Sequence, residues 1–468
     1  MAKILIAVIY IAAILVIGIM AGRKVKTADE FATANRSIPF WTNVFSMSSA
    51  WIGAGSTLGC ASMCYAYGIS GFYLAIGVGI GALLSSLLFA KKVREENVST
   101  IPELIRKHLG KKCADAIALM SIFSVFSVVA SQIRSLGTIL NMFIPGLNLL
   151  TAMIVMTVVM LIYTVIGGMV AATKTDKLNI GLMILSVLMI LPIVALVNMH
   201  GVAGMVATIS ASDPAKLKIA GTVGWGTMIS SALYFGTSNM INNENFLRIC
   251  GAKSANEARN ASLTATLMIY FPYLLFASFI GLAGCALVGD LGTSDSILPA
   301  MISQYTGTFL GAILLAALLA AVMGTAASVT MVVSVMLSRD IIGRFVKMDD
   351  QKLLNMQRIL MIVVAIAGIV VGYFGSSIVA IMEDVGAPAG AALVPIFCGI
   401  FFWREKMNEK GTLITIVVAI ASTLIYWAAG SPLGISHFLF GLICSAITMF
   451  VANSAFYKPG EKKFSEAS

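Results

Sequence analysis

Apolar residues in this chain are grouped into long runs, and the polar residues collect in short stretches between them. Runs of about 20 residues, each able to cross the roughly 30 Å hydrocarbon core of a bilayer as a helix, recur from one end to the other. Thirteen can be read near 3–21, 40–67, 70–90, 114–142, 147–171, 178–199, 223–247, 260–288, 308–337, 358–375, 377–402, 411–430 and 434–453. The pattern predicts an all-α polytopic membrane protein with about 13 transmembrane helices. The first run, Ile4 to Gly22, is too long for a signal-peptide core and has no cleavage site, so it is read as a helix.

Charge placement orients these spans. Of the 31 Lys and Arg residues, 27 fall in one set of alternate connectors, which the positive-inside rule makes cytoplasmic. That set begins with Arg23, Lys24, Lys26 and Arg36, includes Lys174 and Lys177, and ends with Lys347, Lys458, Lys462 and Lys463. The opposite side receives Lys3, Lys216 and Lys218, while Arg134 lies within a span. An odd number of spans then puts the N-terminus outside and the C-terminus in the cytoplasm. At 59% hydrophobic and 11% charged, against about 25% charged in soluble domains, the chain is no soluble enzyme. The net charge of +10 sets topology and does not point to nucleic acid. The seven cysteines form no CxxC pair, and the three histidines (His108, His200, His437) form no HExxH. An intramembrane enzyme is therefore discounted. The expected partners are the lipid bilayer and a small-molecule solute, with no nucleic acid and no obligate protein partner.

Two spans cannot run as continuous helices. The second contains Gly53, Gly55, Ser56, Thr57 and Gly59, and the seventh contains Phe235, Gly236, Thr237, Ser238 and Asn239, followed by Asn242, Asn243 and Glu244. Backbone groups freed at membrane depth must face protein, water or a ligand. The two breaks lie five spans apart. An odd offset inverts topology, so they read as corresponding helices of two inverted five-helix repeats around a central site. The resulting organisation is an extra N-terminal helix and loop (1–38), a first repeat (39–200), a second, inverted repeat (201–405), and two further helices with a tail (406–468). The ninth span carries the small, hydroxylated stretch Ala321 to Ser328, which suits either cation coordination or close helix packing.

At this point the motifs resemble the sodium:solute symporter family. Tyr163-Thr-Val-Ile-Gly167-Gly168 followed by Thr175-Asp176 resembles its YTxxGG…TD pattern, with Asn179 where Gln is usual. Arg248 with Ala252-Lys253-Ser254 resembles QRxxxAKS, with Leu247 in place of Gln. Ala320 to Thr325, Arg339-Asp340-Ile341, and Gly386 to Gly411 with Phe402-Trp403-Arg404 resemble the ion-site helix, its end, and a later core helix. The resemblance implies a leucine-transporter-like fold and a sodium site at Ser49, Ile52, Ala321, Gly324 and Thr325. Gly324 stands where serine is usual, so a serine there is expected to restore an oxygen. Ala327 stands where a second sodium site needs a hydroxyl, so one Na+ is expected per cycle. Asp176 falls on the family's aspartate near the cytoplasmic ion exit; alternatively it is a loop charge paired with Lys174 or Lys177. Ala50 to Gly55 and Phe89-Ala90-Lys91 are nearest to the choline-transporter branch, but Ser127 or Val128 and Asn242 stand where that branch places cage aromatics.

The candidate solute site comprises Trp51, Gly53, Gly55, Ser56, Ser127, Arg134, Phe235, Ser238, Asn239 and Asn242. Arg134, a guanidinium at membrane depth, needs a partner. A bidentate substrate carboxylate is one, which suggests an amino acid or organic acid; Glu383 or Asp384 is another, and outward snorkelling a third. The function expected is sodium-coupled uptake of such a solute by alternating access at the cytoplasmic (plasma) membrane. A proton-coupled or uncoupled carrier, a choline or quaternary-amine symporter, and more distantly a membrane solute receptor are the alternatives.

Overall fold

The structure is a computed structural model that describes residues 2–22, 27, 38–98, 100–144, 146–221, 223–346 and 348–457. The basic connector residues Arg23, Lys24, Lys26, Arg36 and Lys347, and the tail lysines Lys458, Lys462 and Lys463, lie outside the described residues. Among the described residues the regular structure is helical, apart from one β-bridge that pairs Ile38 with Ala252.

The helices needed here are α1 (Ala2–Gly22), α2 (Phe40–Trp51), α3 (Cys60–Tyr67), α4 (Phe72–Leu84), α5 (Lys111–Phe143), α6 (Leu149–Met183), α7 (Trp225–Met240), α8 (Asn243–Gly251), α9 (Ala255–Ala265), α10 (Phe271–Leu287), α11 (Thr308–Met336), α12 (Asp350–Phe374), α13 (Ile378–Phe402), α14 (Glu409–Ala428) and α15 (His437–Ala455). Among the described residues, ten helical stretches are long and apolar enough to cross a membrane. The interrupted helix α7–α8 escapes that count because its break leaves pieces too short to span, and the part of the first interrupted helix after its break is counted together with α4 in one stretch, Gly55–Glu95.

Burial sorts the helices into a centre and a rim. In the stretch Thr308–Ile341, 83% of the most apolar window is buried, against 33% in both Asp350–Phe374 and His437–Ala455. Apolar side chains such as Ile366, Val370, Ile447 and Val451 are exposed on the rim, the surface that lipid would cover. Helix α11 is therefore the axis, and it packs against α1, α5, α6 and α12.

The first break falls inside the glycine-rich stretch that predicted it. Helix α2 stops at Trp51, Ile52 turns extended (φ −84°, ψ 90°), and a π-helical turn at Gly55–Gly59 leads into α3. The second break differs from expectation. Phe235 to Asn239 stay helical inside α7, and the chain opens at Ile241 and Asn242. Asn242 explains the position: its Oδ1 accepts from Glu244 N (2.9 Å) and Asn245 N (3.0 Å), so it starts α8 as an N-cap. The fifth and sixth spans are separate, at Leu149–Gly168 and Lys174–Asn198, and they meet at a sharp kink inside α6, where Gly168 is non-helical (φ 50°, ψ −142°), a conformation open to glycine.

Glycines bring α4 and α7 into backbone contact. A Cβ on Gly77 would strike the Ala232 carbonyl, and one on Gly81 would strike the Gly236 carbonyl. Such approach is how helices associate tightly where water provides no driving force. We expect Gly81→Ala to destabilise the fold by about 1–3 kcal/mol through overpacking, read as a lower thermal unfolding midpoint of the detergent-purified protein. Ala82→Gly, which introduces no collision, serves as the control.

Candidate functional site

The break in α2 creates a demand that neighbouring side chains meet. Gly53 N donates to Ser56 Oγ (2.8 Å), and Ala54 N donates to Gln132 Oε1 from α5 (2.9 Å). Ser56 Oγ in turn lies 2.9 Å from the Trp51 carbonyl. The carbonyls of Ser49 and Ile52 turn instead toward α11. Thr325 Oγ1 lies 3.0 Å from Ile52 O, 3.2 Å from Ser49 O and 3.4 Å from Ala321 O. A hydroxyl has one proton to give, so these four oxygens hold an excess of acceptors. Hard cations are bound by sets of this kind. Gly324, next to Thr325 on α11, carries no side chain: a Cβ there would sit 2.9 Å from Asn179 Nδ2, 3.4 Å from Ser49 Oγ and 3.5 Å from Asp176 Oδ1. A serine at 324 must therefore displace Asn179, and does not simply restore an oxygen as the sequence suggested.

Asp176 is not a loop charge paired with a neighbouring lysine. It is buried on α6 and accepts from Ser49 Oγ (2.8 Å) and Ser46 Oγ (3.1 Å), with Arg248 Nη2 at 3.8 Å. Arg248, fully buried on α8, also donates to Ser46 Oγ, Ser328 Oγ and the Glu244 carbonyl. This cluster ties α2, α6, α8 and α11 together behind the cation set. Breaking a buried pair of this type costs about 3–5 kcal/mol.

Beside the cation set lies a cavity of about 110 Å³, small beside the roughly 300–1,000 Å³ of sites for drug-sized ligands. Trp51, Gly53, Gly55, Ser56, Ser127, Phe235, Ser238, Asn239 and Asn242 all line it. The structure adds Gln132, Tyr234, Tyr270 and Met382, which sequence reasoning passed over, and Asn243 and Glu244, which it read only as part of the second break. Tyr270 stacks on Trp51 with ring centroids 5.1 Å apart and planes at 21°, and its hydroxyl accepts from Asn239 Nδ2 (3.0 Å). Tyr270 comes from the turn between α9 and α10, so no spacing in the chain links it to Trp51. Among the described residues, Glu244 is the one charged side chain on the cavity wall. It is 3% exposed, and its Oε2 has no hydrogen-bond partner.

Arg134 is absent from that wall. Its Nη1 donates to Gly372 O (3.0 Å), its Nη2 to Ser376 O (3.3 Å), and its Nε lies 3.8 Å from Asp295 Oδ2. The partner is thus neither a solute carboxylate nor Glu383 or Asp384, but Asp295 in the connector before α11. Helical spacing gives the reason. Gln132 and Arg134 are two positions apart and point to nearly opposite faces of α5, so the residue that reaches the cavity is Gln132. Burial raises the Asp295 carboxyl above its ordinary value, while the Ile378 N–H and the Arg134 guanidinium pull it back down. We expect Arg134→Gln to lower the thermal unfolding midpoint and leave solute affinity within about threefold of wild type, a difference of ~0.7 kcal/mol. Selective loss of anionic solutes from a stable variant would place Arg134 at the solute after all.

Comparison with known proteins agrees with this architecture. The family model described as "Sodium:solute symporter family" matches residues 31–419. The osmoregulated proline transporter OpuE of Bacillus subtilis is 24% identical over 97% of this chain and 95% of its own. The sodium/glucose cotransporter of Vibrio parahaemolyticus is 23% identical over 90% and 84%. The solved structure of a Na+-coupled sialic acid symporter in a substrate-bound, outward-open state superposes with a TM-score of 0.80 at 16% identity, covering 97% of each chain. That likeness carries the fold. Multiple membrane helices, a cation-suited oxygen set at a helix break, and a family match across most of the sequence describe a membrane transporter of small solutes, not an enzyme, and the chain belongs to the sodium:solute symporter family.

Proposed function

We propose that the protein takes up a small, amino-bearing polar solute, of amino-acid type, together with one sodium ion by alternating access. The observation that carries this reading is the junction of the two sites. Trp51, Gly53 and Thr325 line the solute cavity, while the Ile52 carbonyl and the Thr325 hydroxyl belong to the oxygen set. A cation that bridges α2 to α11 there stabilises the arrangement in which the cavity wall is complete. Each ligand then favours the state that binds the other, which is the thermodynamic content of coupling.

The solute class follows from the wall. Glu244 supplies one buried carboxyl group, the Trp51–Tyr270 pair supplies aromatic faces, and Ser238, Asn239 and Asn242 supply hydrogen-bonding groups. A carboxylate and aromatic faces suit an ammonium group. The same features favour a quaternary amine such as choline as the second reading.

The proposal includes thirteen spans, obtained by adding α1 and the two interrupted helices to the ten long apolar stretches. They form two inverted five-helix repeats at 39–200 and 201–405, with the breaks at Ile52 and Ile241 as counterparts. The distribution of Lys and Arg supports an external N-terminus and a cytoplasmic C-terminus, and the bacterial relatives support the plasma membrane.

A thermal-shift panel of amino acids, sugars, carboxylates and choline, each in sodium and in potassium, tests the reading. A true ligand at one hundred times its Kd stabilises by about 2.7 kcal/mol. We expect an amino-bearing solute to raise the midpoint in sodium only, and an equal rise in both salts would sink sodium coupling. Thr325→Ala should raise the sodium needed for half-maximal uptake by about tenfold, ~1.4 kcal/mol, with Thr325→Ser near wild type. Glu244→Gln should weaken binding of ammonium-bearing solutes by tenfold or more, since hydrogen bonds to charged groups contribute about 1.5–3 kcal/mol. Undiminished amine affinity in that variant would remove Glu244 from the site.

A further inference from the structure

The oxygen set at the α2 break is short of ligands. It offers three carbonyls and one hydroxyl, whereas hard cations are held by shells of about six oxygens. Gly324, next to Thr325 on α11, contributes no side chain. The nearest atom to where its Cβ would stand is Asn179 Nδ2, at 2.9 Å, closer than Ser49 Oγ or Asp176 Oδ1. Both of the latter are committed elsewhere. Ser49 Oγ donates to Asp176 Oδ1, and the other Asp176 oxygen accepts from Ser46 and faces Arg248. Asn179 is half-committed: it is 1% exposed, its Oδ1 accepts from Tyr10 Oη, and its Nδ2 has no hydrogen-bond partner.

We propose that Asn179 is a ligand of the transported cation, its amide oxygen occupying the place that a side chain on residue 324 would fill. The inference rests on the sodium reading above. As drawn, Asn179 Oδ1 accepts from Tyr10 Oη (3.2 Å) and the orphan Nδ2 points toward Gly324. A half-turn about the terminal torsion, between rotamers of closely similar energy, exchanges the two ends. Nδ2 then donates to Tyr10 Oη, which accepts as readily as it donates, and Oδ1 faces the carbonyls of Ser49 and Ile52 with the cation between them. Both ends of the amide then have a partner, and the Tyr10 hydroxyl changes from donor to acceptor. Two departures from the family pattern noted in the sequence, Asn179 and Gly324, thereby become one exchange, in which a side-chain oxygen moves from α11 to α6. Helix α6 then joins α2 and α11 in gripping the ion, and Tyr10 brings in α1 behind it.

The test titrates sodium chloride against N-methylglucamine chloride into the full-length purified protein, reading intrinsic tryptophan fluorescence and the thermal midpoint. Wild type should respond to sodium; if it does not, the sodium reading itself fails. Asn179→Ala should raise the half-saturating sodium concentration about tenfold, and Asn179→Ala with Gly324→Ser should restore it to within threefold of wild type, because the serine regains both the oxygen and the space. Gly324→Ser alone should weaken sodium binding, since it collides with Asn179. A normal sodium response in Asn179→Ala, or a double variant no better than the single, overturns the proposal. Should Asn179→Ala fail to fold in N-methylglucamine, Asn179→Asp decides: retained sodium affinity supports an oxygen ligand, and its loss shows that the amide served as a donor.

Discussion

The interruption of α2 at Ile52 governs the rest of the molecule. A helix broken inside a membrane leaves carbonyls and N–H groups that lipid cannot satisfy, each at a cost of several kcal/mol. The fold turns that liability to use by dividing the freed groups. The N–H side is satisfied by protein, through Ser56 and Gln132, and the carbonyl side is left rich in acceptors next to Thr325. The oxygen set, the cavity wall and the contact between α2 and α11 therefore share a few residues.

Behind the break, buried charge ties helices to one another. Arg248 and Asp176 reach Ser46, Ser49 and Ser328, so one guanidinium and one carboxylate hold α2, α6, α8 and α11 in register. A second pair, Arg134 with Asp295, anchors α5 to the connector before α11 and to the end of α12. Polar pairs in such surroundings are costly to separate. They act as latches, while the glycine seam of α4 on α7 allows two helices to approach as closely as their backbones permit.

The sequence was enough for the membrane class, the positions of the apolar runs, the break at Gly53 and the family, because each depends on composition, on local backbone chemistry or on a short motif. A glycine-rich stretch at membrane depth has few conformations open to it, and Ala321 to Thr325 must present its oxygens wherever α11 is placed. The shift of the second break from Phe235–Asn239 to Ile241–Asn242 was less legible. Helix propensity and capping compete there, and Asn242 prevails by binding two N–H groups at once.

Everything that depends on two distant segments meeting was decided by tertiary structure. Arg134 and Gln132 are equally polar interruptions of one apolar run, and only the facing of α5 determines that the amide reaches the cavity while the guanidinium reaches Asp295. Tyr270 on Trp51, Asp176 on Arg248, and Asn179 opposite Gly324 join residues from 72 to 219 positions apart. Side-chain chemistry and local spacing are properties of the chain itself, whereas the pairing of faces is set by how more than a dozen helices pack. The sequence thus determined which groups were available for binding, and the packing chose which of them share a site.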